Sequence, residues 1–291
     1  MSNKKIILND TMMRSHDEIA YKNPNKPFIR GHVQIGTGGF HTDDKGITQL
    51  GEVLFTQDNM VVIGGLQFAL ETLLGIKGSI ETGYLNEQMG IGSQTQPSIT
   101  NTTSYPYGEG TTVCLFGIGT GGAGENMSTI ADIKYNERNI VDMVPIRFTN
   151  KPLSTTDAVK YFGTKTIDNN TAYYLKKFDK EPQIKHLWKD GEEGEDGTVV
   201  DSSVFNSSSN MPIQSFAEME LTLGKKDCKE WFTYMGEIER TRVNSIGLFS
   251  GTYDPTTNDY MQIKMFSKLN IPTEIMSMSK ELNILYRIYC S

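Results

Sequence analysis

The sequence predicts a mainly β protein, an antiparallel β-sandwich or jelly-roll with a few short helices and one longer helix near residues 58–75. Strand-like runs separated by turn-forming residues are spread over most of the chain. In the last of them, Leu282–Cys290, every second residue from Leu282 onward is apolar, which gives a strand one continuous apolar face. Only one long segment has instead the three- and four-residue spacing of a helix.

The first 30 residues are polar, include two prolines and show no periodicity, so we predict an N-terminal arm over 1–30. A β-rich region is expected over 31–150, opening with a strand at 32–35. A C-terminal β-sandwich region is expected over 151–291. The two regions could form one continuous domain.

The longer helix is expected to begin with Asp58 as its N-terminal cap and to end at Gly75. Residues 79–110, which follow it, are rich in Gly, Thr, Ser, Asn, Gln and Pro. This composition predicts a long exposed loop, or an arm that orders against a neighbour. A loop of this length inside a compact domain is uncommon unless it has a function.

Strand-like runs dominate the second half of the chain. Ser154 and Asp157 form a capping pair for a short helix that Gly163 ends, and Asp227 and Glu230 form a similar pair further on. We predict that the strands at 171–178 and 183–188 pair with each other. The predicted strands of this half lie at 139–148, 171–178, 183–188, 213–223, 240–249, 260–266 and 282–290.

Composition excludes several functional classes. The 291 residues carry a formal net charge of −7 without a cluster of Lys and Arg, so we expect no direct nucleic-acid binding. Three widely spaced cysteines indicate free thiols rather than a disulfide framework. The apolar stretch 60–76 is interrupted by polar residues and paired glycines, so we expect no membrane span. The first residues are too weakly apolar for a signal peptide, and we expect no secretion.

A glycine loop is the most informative motif. The segment 117–122, Gly-Ile-Gly-Thr-Gly-Gly, follows a strand-like run and fits the G-x-G-x-x-G spacing of dinucleotide-binding folds. Asp142 lies about twenty residues on, where a ribose-binding acid would stand. However, Ile-Gly-Thr-Gly-Gly also occurs at 35–39, and neither copy opens a long amphipathic helix that could hold a pyrophosphate. We therefore predict a tight turn or a close approach between strands.

Other candidate sites have equally plain structural explanations. His41 with Asp43 and Asp44 could hold a metal, but a solvated hairpin turn explains the segment as well. The acidic stretch 190–196 lacks the ligand order of a calcium loop and is expected to be a charged turn. His186 is expected to face solvent from a strand. Because no nucleophile or metalloprotease motif occurs either, we predict no catalytic residue, no cofactor and no metal.

A carbohydrate-binding or glycan-processing β-sandwich stays open. Tyr105, Tyr107, Trp188 and Trp231 could stack on a sugar, although aromatic residues of a β protein lie more often in its core. A glycosidase would also need two carboxylates across a cleft, which a linear sequence cannot display.

Four segments of the chain resemble virion proteins of tailed bacteriophages. They are 59–65 (Asn-Met-Val-Val-Ile-Gly-Gly), 116–124, 141–148 (Val-Asp-Met-Val-Pro-Ile-Arg-Phe) and the ending from 272 to 289. The similarity lies in the general character of the sequence over most of the chain, not in a diagnostic motif. It matches no specific family and no site motif, so it transfers no functional residue.

The resemblance implies a non-enzymatic structural subunit of the virion, assembled in the host cytoplasm and belonging to the neck, collar or tail. Decoration of the capsid surface is the alternative. Such a subunit contacts other virion proteins and copies of itself, and it needs neither a membrane nor a cofactor. The polar segments 79–110 and 202–210 could recover their ordering entropy at these subunit contacts.

Overall fold

The computed structural model describes residues 29–44, 46–74, 85, 89–92, 111–124, 129–188, 198–201, 213–237, 242–272 and 281–290. The mainly β prediction is confirmed. The strands are β1 (Ile29–Thr42), β2 (Thr48–Val61), β3 (Thr111–Gly119), β4 (Met143–Val144), β5 (Arg147–Thr149), β6 (Tyr161–Ile167), β7 (Asn170–Lys177), β8 (Gln183–Trp188), β9 (Thr198–Asp201), β10 (Ile213–Leu223), β11 (Ser245–Asp254), β12 (Asp259–Asn270) and β13 (Leu282–Cys290). The helices are α1 (Ile63–Leu74), α2 (Thr155–Ala158) and α3 (Lys229–Tyr234).

All described strand pairs are antiparallel and follow one continuous path, β5-β7-β3-β11-β12-β2-β1-β13-β10-β8-β9, with β4 beside β3 and β6 beside β7. The path divides into two half-sheets. We call β2, β1, β13, β10, β8 and β9 the first half-sheet, and β12, β11, β3, β7, β5, β4 and β6 the second. In the described residues, β2 and β12 join the halves through only two residue pairs, Met60–Lys268 and Val61–Ser267. Early and late strands of the chain are therefore neighbours in the sheet.

The two half-sheets share one hydrophobic core, which gives the molecule its sandwich-like character. The first half-sheet contributes Val33, Ile35, Met219, Leu221, Ile284 and Tyr286, and the second contributes Phe116, Ile118, Ile246, Leu248, Phe266 and Leu269. The hydroxyls of Tyr286 and Ser267 lie 2.6 Å apart across this core. A second cluster lies around Leu115, Phe249 and Ile263 and includes Leu85 and Ile91.

The hairpin of β1 and β2 bends through two bulges, one between Ile35 and Gly36 and one between Thr37 and Phe40. Gly38 and Gly39 have positive φ angles of 85° and 79°, a conformation that glycine adopts without a steric penalty. The tip of the hairpin is held against β13. There the Gly39 amide donates to the Asn283 side chain at 2.9 Å, and Arg287 donates to the Thr48 carbonyl at 2.5 Å.

The longer helix exists but begins at Ile63, so the predicted cap at Asp58 is wrong. Asp58 belongs to β2, where it lies opposite His32 of β1 and binds the Nδ1 atom of that ring at 2.9 Å. The strand extends to Val61 because its backbone is paired with β1 up to Asn59 and then with β12. Cross-strand pairing thus prevails over the local capping signal.

Three further predictions need correction. The segments 171–178 and 183–188 do form strands, but β7 pairs with β3, β5 and β6, whereas β8 pairs with β9 and β10. The segment 139–148 contains two short strands, β4 and β5, rather than one. Within 79–110, Leu85 and Ile91 are buried, so an exposed loop is wrong at these positions.

The two short helices differ in how well their caps were predicted. The cap of α2 is confirmed, because the Ser154 hydroxyl accepts a hydrogen bond from the Asp157 amide at 3.2 Å. However, α2 gives way to β6, so that Gly163 lies in a strand. The N-terminal cap of α3 is Cys228, in a left-handed conformation and without a side-chain bond. The Asp227 carboxylate does not cap α3 but binds Tyr161 and Lys176.

Candidate functional site

The glycine loop at 117–122 directs its amides to protein acceptors. After the end of β3, the Thr120 amide donates to the Asp142 carbonyl at 3.0 Å and the Gly121 amide to the Val141 carbonyl at 3.2 Å. The Gly122 amide donates to the Asn244 side chain at 2.5 Å. None of these three amides is left to bind a pyrophosphate, and Asp142 contacts the loop through its carbonyl oxygen.

Glycine is required in this loop because neighbouring groups approach its backbone closely. A methyl group on Gly119 would overlap the Ile140 side chain, and one on Gly122 would overlap the Asn244 carbonyl. In the described residues between the loop and β4, Ala123 and Ile130 form an isolated bridge and no helix begins. This packing agrees with the predicted close approach between strands.

The second copy of the motif, at 35–39, forms the bulged part of β1. A methyl group on Gly36 would overlap the Glu52 carbonyl of β2. The two copies therefore serve different local structures, a strand end and a strand bend. The shared sequence reflects a shared need for backbone freedom and close packing.

Of the candidate metal ligands, His41 lies near the end of β1, and Asp43 and Asp44 lie in the turn that follows it. The Asp43 carboxylate accepts hydrogen bonds from the Ile47 amide at 2.8 Å and the Gln49 side chain at 3.1 Å. His41 and Asp44 are exposed. No group of three metal-ligating side chains occurs in the part of the chain that the structure describes. The hairpin-turn interpretation of this segment is the one that fits.

Of the four aromatic candidates for sugar stacking, the structure describes the side chain of Trp231 alone. Trp231 of α3 is half-buried and packs edge-on against Phe148 of β5, with ring centroids 5.2 Å apart. Trp188 and His186 lie in β8, but their side chains are outside the described structure. Tyr105, Tyr107 and the acidic turn 190–196 also lie outside the described residues.

A cavity of about 160 Å³ opens between α2, β6, β7 and the turn before β12. Its lining includes Tyr161, Tyr173, Asn258 and Asp259. The Asp259 carboxylate already accepts four hydrogen bonds, from the amides of residues 163, 164 and 260 and from the Thr164 hydroxyl. It is the only carboxylate among the described lining residues, so they do not supply the pair that a glycosidase needs.

A buried polar cluster fixes the tip of the β1–β2 hairpin to β8, β10 and β13. Glu218 of β10 binds Lys185 of β8 at 2.5 Å and Arg287 of β13 at 2.9 Å. Lys185 also donates to the Thr48 hydroxyl at 2.9 Å. Burial by itself raises the pKa of the Glu218 carboxyl, but hydrogen bonds from Lys185 and Thr48 and the charge of Arg287 outweigh it. The pKa of Glu218 is therefore lowered.

A second buried cluster joins β6, β7 and the turn before α3. Lys176 lies 2.8 Å from Asp227, and the Tyr161 hydroxyl donates to the other oxygen of the same carboxylate at 2.6 Å. Burial, followed by the charge of Asp227, raises the pKa of the Tyr161 phenol, which therefore stays protonated. No local pattern in the sequence indicates this cluster, because Asp227 fits a helix cap and Lys176 lies 51 residues away.

Apolar side chains lie exposed along the outer side of α1. Ile63, Leu66, Leu70 and Leu73 follow one another at intervals of three, four and three residues. We call these four residues the outer stripe. Leu66 is half-buried, whereas Ile63, Leu70 and Leu73 are 37%, 48% and 72% exposed. Soluble monomers seldom expose contiguous apolar surface without a function.

No protein-family model, curated protein sequence or solved structure matches the chain. Within the described residues, no helix has the length and apolar character needed to cross a membrane.

Proposed function

We propose that this protein is a non-enzymatic structural subunit of a tailed-bacteriophage virion, in the neck, collar or tail. In this role it contacts other virion proteins and copies of itself within the particle. Decoration of the capsid surface is the alternative position. The observation that carries the proposal is the outer stripe of α1, which fits an interface between subunits.

The spacing of the outer stripe is that of a helix–helix seam. Intervals of three and four residues place side chains at the a and d positions of a heptad, which interlock with a similar helix. Glu71 is the one charged residue of α1, so an approaching helix meets little charge repulsion. A second copy of α1 offers the same spacing and is the occupant that we propose.

The inner side of α1 is held against β12. Gly64 and Gly65 face the backbone of β12, and a methyl group on Gly65 would overlap the Phe266 carbonyl. Phe68, on the same inner side, packs edge-on against Phe266 at 6.2 Å. The inner side of α1 is thus fixed on the sheet, and the stripe is directed outward.

Light scattering with negative-stain imaging of the full-length protein tests the proposal. We expect closed oligomers, and we expect Leu70→Glu/Leu73→Glu to give monomers with an unchanged far-UV circular dichroism spectrum. Val159→Glu is the matched control, since Val159 is 63% exposed and lies outside α1. A wild-type monomer, or an oligomer unaffected by the double substitution, would contradict assembly through the outer stripe.

A carbohydrate-binding module is the second candidate, favoured by the cavity next to α2. Two tyrosines and the polar side chains of Thr164, Thr257 and Asn258 line it, a combination suited to a small sugar. Thermal unfolding in the presence of a set of mono- and oligosaccharides distinguishes the two functions. A raised melting temperature that Asn258→Ala abolishes would favour the sugar-binding module.

A further inference from the structure

Lys176 and Asp227 are buried more completely than the other lysine–carboxylate pairs that the structure describes. Their side chains are 8% and 2% exposed, and the Lys176 Nζ atom lies 2.8 Å from Asp227 Oδ2. In the pairs Lys185–Glu218 and Lys268–Glu137, one side chain is more than a tenth exposed. Tyr161, which binds Asp227, and Cys228, its neighbour in the sequence, both belong to the shared hydrophobic core.

The charge balance of this pair differs from that of the cluster around Glu218. Glu218 is bound by two cationic side chains and therefore stays ionised. The described contacts of the Asp227 carboxylate are one cation, Lys176, and two neutral donors, the Tyr161 hydroxyl and the Gly224 amide. Condensation of the two groups to an amide would remove both buried charges and their cost.

We propose that Lys176 and Asp227 condense to an intramolecular amide bond. One ammonium proton first passes to Oδ2. The lone pair of Nζ then attacks the carboxyl carbon, and Oδ1 takes up the negative charge of the tetrahedral intermediate. The Tyr161 hydroxyl, 2.6 Å from Oδ1, donates to that oxyanion. The Nζ–Cγ bond forms, the Cγ–Oδ2 bond breaks, and Oδ2 leaves as water with two of the three ammonium protons. No electron is transferred and no co-reactant is consumed.

The fold holds the reacting groups in position for this step. Lys176 and Tyr161 lie opposite each other in the pairing of β7 and β6. The Lys176 Nζ atom is also tied to the Thr222 carbonyl at 2.6 Å and lies over the Tyr161 ring, 5.5 Å from its centroid. Holding two reactants in contact and in a fixed orientation lowers the entropic barrier that a reaction between freely diffusing groups must overcome. The buried surroundings also keep out the water that would favour hydrolysis.

The amide would join β7 to the turn that precedes α3 and close a loop between residues 51 positions apart. A covalent link of this kind restricts the unfolded chain, as a disulfide does, without depending on the redox state. The bond does not require the proposed function, because its chemistry depends only on the fold of this chain.

Intact-mass spectrometry of the purified, denatured full-length protein tests the proposal. We expect a mass lower than that of the sequence by one water molecule. Tandem spectra of a protease digest should contain a branched peptide linked through Lys176 and Asp227. Lys176→Arg and Asp227→Ala should each have their full sequence mass, whereas Lys185→Arg, the matched control, should keep the loss of water.

Wild-type protein with its full sequence mass would overturn the proposal. A loss of water that persists in Lys176→Arg, or a digest without the branched peptide, would overturn it as well. Because a variant that fails to fold also keeps its full mass, the branched peptide of the wild type is the deciding measurement. Tyr161→Phe should lower the converted fraction, and complete conversion in that variant would refute the assigned role of the phenol.

Discussion

Gly122 illustrates how a single residue can satisfy a motif for reasons unrelated to a ligand. Its amide binds Asn244, and its Cα lies against the backbone of the same residue. The spacing of the glycines could be read from the sequence, and so could the lack of a helix after them. Which backbone they approach could not be read, because Asn244 is 122 residues away. Packing over such separations leaves no local signal.

We expect Gly122→Ala to destabilise the protein by about 1–3 kcal/mol, because the added methyl group forces the Asn244 backbone to move. Gly224→Ala is the matched control. Its methyl group would find only Asp227 Oδ2, at an ordinary 3.7 Å, so we expect a change of less than about 0.5 kcal/mol. Urea unfolding followed by circular dichroism measures both. Equal effects of the two substitutions would contradict the packing role of Gly122.

The hairpin of β1 and β2 shows that the length of a strand and its partners depend on residues outside it. The sequence predicted a strand at 32–35 and a glycine turn after it, whereas the structure continues β1 through the glycines to Thr42. The residues that hold the hairpin tip, Glu218, Arg287 and Lys185, come from three other strands. Local patterns therefore predicted that strands exist, while their length and partners depended on distant residues.

Glu218→Gln should destabilise the protein by about 3–5 kcal/mol at pH 7, since it leaves Lys185 and Arg287 buried without their anion. The folded-state pKa of Glu218 is lowered, so its stabilisation is present above the unfolded-state pKa, about 4.3, and is lost as the pH falls through the folded-state pKa. The difference between the variant and the wild type should therefore shrink in acid.

Urea titrations at pH 7 and below pH ~4 measure this effect. Glu220→Gln, on the same strand, is the control, because its partner Lys180 is 62% exposed and the pair contributes about 0–1 kcal/mol. A destabilisation by Glu218→Gln that is independent of pH would contradict the assignment of its effect to the carboxylate charge.

The whole molecule is held together mainly by the core between its half-sheets. In the described residues, strand pairing joins them through the two pairs between β2 and β12, whereas the shared core draws on seven strands of the path. Alternating apolar residues predicted such a sandwich. The order of its strands was not predictable, since β1, the first described strand, lies between β2 and the last described strand, β13.

If one core stabilises both halves, they should unfold together. The chain has two tryptophans, Trp188 in the first half-sheet and Trp231 packed on the second. Trp188→Phe and Trp231→Phe therefore each leave one fluorescent reporter, in opposite halves. Within each variant, we expect the fluorescence transition in urea to coincide with that of far-UV circular dichroism, as a cooperative unit requires. Because the two probes are compared in the same variant, a stability change caused by the substitution does not affect the test. A fluorescence transition that precedes the circular dichroism transition in either variant would show that its half unfolds separately.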